Sequence, residues 1–173
     1  MKRIIFNIAL ISTLVAFVSC KKDPQTYKGD PQLAFDYPGV NAWSSPTAWM
    51  GTATSIHGIS YSVTSAGRSI DYPVTLIADG VQKDIPFAIS ILDPNSVTGA
   101  PAISTIDLDA LTFAATGTMP TGRFNTTFNI SVDHSKLSSV SSENVIYLLL
   151  SPVGGSAQAA ENYRRVKLTF VKN

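Results

Sequence analysis

The chain has 173 residues, with 13 Lys and Arg against 12 Asp and Glu, a net charge of +1 and a single cysteine. That near-neutral balance excludes a nucleic-acid binder built on a concentrated basic surface, and one cysteine excludes a disulfide-stapled domain or a zinc site of paired cysteines. Charged residues make up only 14% of the chain, and together with abundant Ser, Thr and β-branched residues this is the composition of an exported β domain.

Lys2 and Arg3 precede an apolar run from Ile4 to Val18 whose only polar members are Asn7, Ser12 and Thr13. A basic start followed by a short apolar run has the outline of a secretory signal peptide, and the run is shorter than the roughly 20 apolar residues a membrane-spanning helix needs. Phe17-Val18-Ser19-Cys20 resembles the lipobox of bacterial lipoproteins, with a small residue before the cysteine that becomes lipidated; Phe17 departs from the leucine usual there. The resemblance implies that residues 1–19 are removed and that Cys20 carries a diacylglycerol thioether and an acylated N-terminus. Two buried acyl chains, at about 0.8 kcal/mol per methylene, give stable anchoring. The mature chain then sets 11 basic side chains against 12 acidic ones.

Residues 20–30 carry KKDPQTYKGD after the cysteine, with Pro24, Gly29 and no apolar period, and read as a tether. From residue 31 to 173 the pattern is that of one β domain. Leu33, Phe35 and Tyr37 share a face, as do Ile59, Tyr61 and Val63 beyond a bulge expected at Gly58. Val74, Leu76 and Ala78 lead to Asp79-Gly80, and Ile85, Phe87, Ile89 and Ile91 follow, which reads as a hairpin. Pro86 then belongs toward an edge or at a bulge, for it has no ladder donor.

Leu111 and Phe113 make a short strand. Phe124, Thr126, Phe128, Ile130 and Val132 make a long one, with Asn125, Thr127, Asn129 and Ser131 outward. Asp133 to Ser142 has room for a single helical turn. Val145 to Leu150 is apolar on both faces and belongs at a sheet centre. Tyr163 to Val171 places Val166, Leu168 and Phe170 inward and Arg165, Lys167 and Thr169 outward. Seven to eight strands joined by polar turns predict an all-β, immunoglobulin-like two-sheet antiparallel sandwich.

The run DYPVTLIADGVQKDIPFAISILDP, then LTFAATG, FNTTFNISV, HSKL, VIYLLLSP and YRRVKLTFV, resembles a family of small Bacteroidota-type lipoproteins of unknown biochemical function, themselves similar to the Calx-β sandwich. The resemblance covers residues 31–173 and consists of a strand-and-turn rhythm. It implies an accessory surface or periplasmic lipoprotein of a nutrient-uptake system at the outer membrane, beside a transporter and its glycan-binding lipoprotein; Lys21-Lys22-Asp23 partly resembles the acidic export signals of surface lipoproteins, which favours the cell surface over the periplasmic face. Calx-β domains hold calcium with clustered acidic residues, whereas this chain has two glutamates and scattered aspartates. Asp71, Asp107, Asp109 and Asp133 have no spacing that requires them to converge on the six to eight oxygens calcium takes, so no metal site and no cofactor are expected.

Catalytic patterns are missing. His57 and His134 lie in different segments, and Asp133 beside His134 has no nucleophile near it in sequence. Gly154-Gly155-Ser156-Ala157-Gln158 is a flexible turn rather than a nucleophile elbow; Gly99, Gly117 and Gly122 are read as turn glycines, and Glu143 and Glu161 as loop residues. The remaining constellation is aromatic: Trp43 and Trp49 flank SSPTA, with Tyr37 before and Tyr61 beyond. Two readings stand for the tryptophans. An exposed pair would stack on the apolar faces of sugars, and a buried pair would plug the open end of the sandwich, as the usual burial of tryptophan favours. The expected function is that of a non-enzymatic, lipid-anchored envelope protein assisting glycan capture, by binding carbohydrate or by docking to a transporter. The alternatives are an adhesin-like subunit using a sheet edge and, less favoured, a lipoprotein hydrolase.

Overall fold

The computed structural model of the chain describes residues 29–36, 58–79, 83–92, 103–160 and 163–173. Ten strands form two five-stranded sheets, with three short 3-10 turns and no α-helix among the described residues. The strands are β1 (Gln32–Phe35), β2 (Gly58–Val63), β3 (Arg68–Ile77), β4 (Ile85–Ile91), β5 (Leu111–Phe113), β6 (Thr116–Met119), β7 (Asn125–Val132), β8 (Val145–Pro152), β9 (Gln158–Ala159) and β10 (Arg165–Lys172). The first sheet runs β5-β7-β3-β1-β9 and the second β2-β10-β8-β4-β6. The fold is a β-sandwich, as the period-two pattern predicts.

One face of each strand builds the core. Phe128, Ile130 and Val132 of β7 are buried, as are Ile85, Phe87 and Ile89 of β4 and Val166, Leu168 and Phe170 of β10, while their alternates are exposed or half-buried, except Arg165, expected outward, which is buried at the start of β10. Phe35, Tyr72 and Phe128 form an aromatic triad, with ring centroids 5.6 to 5.9 Å apart, each pair adding about 0.5–1.5 kcal/mol beyond area burial. Strand β8 lies at the centre of its sheet, as expected of VIYLLL.

Several expectations are corrected. The segments 74–78 and 85–91 do not pair as a hairpin: β3 lies between β7 and β1, whereas β4 lies in the opposite sheet between β8 and β6. Strands that pair and strands that face each other across a core bury the same alternating residues, so periodicity does not separate the two cases. The sheets are also not purely antiparallel, because β1 runs parallel to β9 and β2 parallel to β10; strands this distant in sequence have no short turn to impose antiparallel pairing. Phe124, expected inward, is 44% exposed, and Ile91 is 36% exposed while Leu92 is buried, since both positions lie where a strand runs out of its ladder. Gly58 opens β2 in regular register with Lys167 rather than in a bulge.

Gly117 is in strand β6, not in a turn, and a Cβ there would meet the Phe87 ring at 2.4 Å. Pro86 is at the end of the β4–β8 ladder: its carbonyl accepts from the Val153 N–H, so only the terminal reciprocal bond is lost. Pro73 repeats this at the end of β1, its carbonyl accepting from the Asp36 N–H. Residues 133–144 hold two 3-10 turns, His134–Lys136 and Ser141–Glu143, instead of one.

Candidate functional site

The outer face of the second sheet carries a shallow groove of about 270 Å³. Its floor is set by strand register. Lys167 of β10 stands between Tyr147 of β8 and Gly58 of β2, and Thr169 stands between Val145 and Ser60. Because β2 contributes only Gly58 and Ser60 to these rows, the floor is left low on that side, and a Cβ at Gly58 would lie 3.4 Å from Lys167 Cδ. Tyr147, Lys167 and Thr169 are half-buried, and the Lys167 ammonium lies over the Tyr147 ring, 6.0 Å from its centroid.

One wall is the segment Ile103–Thr105, which continues the pairing of β8 past the end of β4. The Thr105 N–H donates to the Val145 carbonyl, and the Tyr147 N–H donates to Ser104 Oγ at 3.0 Å. The Leu92 N–H donates to the Tyr147 carbonyl. Both backbone groups on this side of Tyr147 are therefore held, and the ring stands on a fixed base. Ser141 and Ser142 close one end of the groove. Asn144, 1% exposed, fixes their loop: its side chain accepts from the Ser138 N–H and donates to the Ser138 carbonyl, while its own carbonyl accepts from the Phe170 N–H. Thr105 Oγ donates to the Ser142 carbonyl and ties wall to end. The groove thus presents an aromatic face, one ammonium and several hydroxyls, a set suited to holding a polar ring by stacking and hydrogen bonding.

Of the residues singled out from sequence, Cys20, Trp43, Trp49, Tyr37, His57, Gly99 and Glu161 lie outside the described residues. Tyr61 does not stand exposed: it stacks on core Phe170 at 6.3 Å, with the Arg68 guanidinium over its ring, 5.1 Å from the centroid. Burial raises its hydroxyl pKa and Arg68 offsets part of that. Asp71 accepts from Asn129 on the outer face of the first sheet, and Asp107 and Asp133 cap 3-10 turns. No group of three or more His, Cys, Asp or Glu side chains is poised for a metal ion among the described residues. Asp133 accepts from Ser135 instead of orienting His134, whose Nε2 meets the Asn173 carbonyl at 2.8 Å, and Glu143 accepts from Ser138 Oγ. Sequence reasoning missed Tyr147. The signal was present, since Tyr147, Lys167 and Thr169 all occupy the outward parity of β8 and β10.

No family profile matches the chain, and no curated protein sequence matches it. Solved structures do. A two-domain protein of unknown function from Bacteroides fragilis superposes with a TM-score of 0.55 at 12% identity over 82% of this chain and 45% of that one. A proposed carbohydrate-binding protein from Bacteroides ovatus gives 0.52 at 11% identity over 82% of this chain and 37% of that one. An apo Calx CBD1 domain matches at 0.46 and 14% identity over 84% of this chain and 99% of the domain, a looser likeness on which nothing here depends. The chain spans less than half the length of the two Bacteroides structures, and at such identities the likeness establishes the β-sandwich fold.

Proposed function

We propose that this chain is a non-enzymatic, lipid-anchored binding module of the cell envelope that holds a segment of a glycan in the Tyr147 groove. The observation that carries the reading is the groove itself, where register places an aromatic ring, an ammonium and hydroxyls on one solvent-facing floor. A groove of about 270 Å³ lies just below the roughly 300–1,000 Å³ of sites that enclose a small molecule, which suits one unit of a longer chain passing over the surface.

In this reading Cys20 holds the module at the outer membrane, on the cell surface, as an accessory to a transporter and its glycan-binding lipoprotein. The sandwich likeness to a proposed carbohydrate-binding protein supports the carbohydrate-binding part of the reading. The test is calorimetric titration of the protein with a panel of plant and host oligosaccharides, alongside Tyr147→Ala. Saturable binding that Tyr147→Ala weakens by about tenfold, the worth of one stacked ring, is expected. A panel without a ligand, or a ligand indifferent to Tyr147, would overturn the reading.

A further inference from the structure

Resting on the reading of the groove as a glycan site, we infer that it selects an anionic sugar unit, a uronate or a sulfate ester, and that Lys167 determines this specificity. Lys167 stands within the sheet, flanked by β2 and β8, and its stem runs along the backbone at Gly58, where no side chain competes for the space. Its ammonium faces the Tyr147 ring and forms no ion pair with a carboxylate among the described residues. Two other lysines differ. Lys136 donates to the Asp109 carbonyl and Lys172 to the Leu137 carbonyl, so both are already engaged by the fold.

The remaining lining of the groove is uncharged: Ile103, Thr105, Ser141, Ser142, Val145 and Thr169. Glu143, next to the Ser141–Ser142 end, is turned toward its own loop, accepting from Ser138 Oγ at 2.6 Å, and Asp107, two residues beyond the wall, accepts from the Asp109 N–H. An ammonium on a partly desolvated floor, with only a ring face to balance it, favours an anion over a neutral hydroxyl, because charge-assisted hydrogen bonds are about twice as strong as neutral ones. Lysine is a compact point charge without a planar fork, so carboxylate and sulfate both fit it. Stacking of the sugar's apolar face on Tyr147 brings a substituent on the ring's edge within reach of the ammonium.

The experiment titrates the protein, in polyoxyethylene detergent micelles that carry no sugar, with size-matched neutral, uronate-containing and sulfated oligosaccharides at low and high salt. At least one anionic series should bind about tenfold or more tightly than its neutral counterpart, with the advantage shrinking as salt rises. Whichever series shows the gain identifies the ligand chemistry. Lys167→Gln should abolish the advantage of the anionic series over the neutral one, and Lys167→Arg should keep it. Equal binding of neutral and anionic series, or a preference that survives Lys167→Gln, would overturn this inference and leave the glycan reading in place. Absence of binding by all three series would overturn both.

Discussion

The approach of Gly117 to Phe87 gives the sharpest test of the packing. A Cβ at position 117 would lie 2.4 Å from Cζ and 2.6 Å from Cε2 of Phe87, a side chain only 1% exposed. Carbon atoms rest at about 3.5–4.0 Å, so the ring must retreat by roughly 1 Å into a core packed to crystal-like density. Overpacking of that kind costs about 1–3 kcal/mol. Position 117 has ordinary strand geometry, so the substitution carries no penalty for left-handed backbone, and reduced freedom of the unfolded chain returns about 0.4–1 kcal/mol. Gly117→Ala should therefore destabilise the domain by about 1–2 kcal/mol, a fall of roughly 0.5–1 M in urea midpoint for a slope near 2 kcal/mol/M. Phe87→Leu, which removes the clashing ring, should cost about 1 kcal/mol alone and rescue most of the Gly117→Ala loss in the double variant. Urea melts of residues 24–173 followed by circular dichroism measure all three. A Gly117→Ala midpoint equal to wild type, or strictly additive losses, would refute the proposed contact between β6 and β4.

Other consequences are open to the same assays. Phe128→Ala should cost about 3–5 kcal/mol by opening a cavity in the aromatic triad, whereas Asn129→Ala, exposed but bonded to Ser69 and Asp71, should cost at most about 1 kcal/mol; equal urea midpoints would place β7 in the wrong register. Asn144→Ala leaves the Ser138 N–H and carbonyl without their partner and should cost about 2–4 kcal/mol, with weaker glycan binding as the Ser141–Ser142 end loosens; an unchanged midpoint would contradict it. The Thr121 backbone N–H, and then its hydroxyl, hold the Asp84 carboxyl below its ordinary 3.8, as the Ser135 hydroxyl and N–H do for Asp133. A folded-state value below the unfolded one stabilises the fold fully above the unfolded pKa, so stability should fall as pH drops below about 4, less steeply in Asp84→Asn, when melts are taken across pH. Cys20→Ala should abolish incorporation of labelled fatty acid and free the protein from membranes or stall its processing; retained label would remove the anchor.

Strand faces were legible because burying one side of a sheet imposes a two-residue period, and β7 and β10 show it over most of their length. Sheet membership was not, since Val74 and Leu76 of β3 bury the same parity whether Phe87 pairs beside them or faces them across the core. Strand β6 was missed because Thr116-Gly117-Thr118-Met119 has one apolar residue, and its glycine is there to admit the Phe87 ring. Strand β9 is two residues long, too short for any pattern. The groove was hidden for a related reason. It is assembled from outward positions of β2, β8 and β10 and from the 103–105 segment, and their adjacency is set by a parallel pairing between residues more than a hundred apart. Tyr147 was absorbed into an apolar run read as wholly internal.

The central claim is that the outer face of the β2-β10-β8 region is where ligand binds. Amide chemical-shift mapping of the isotopically labelled protein, titrated with an oligosaccharide found to bind, tests it directly. The account predicts shifts concentrated at Ser104, Thr105, Ser142, Tyr147 and Lys167, with little change at Asp71, Asn129 and Ser131 on the opposite sheet. Shifts confined to the Asp71–Asn129 face, with Tyr147 and Lys167 unmoved, would contradict it.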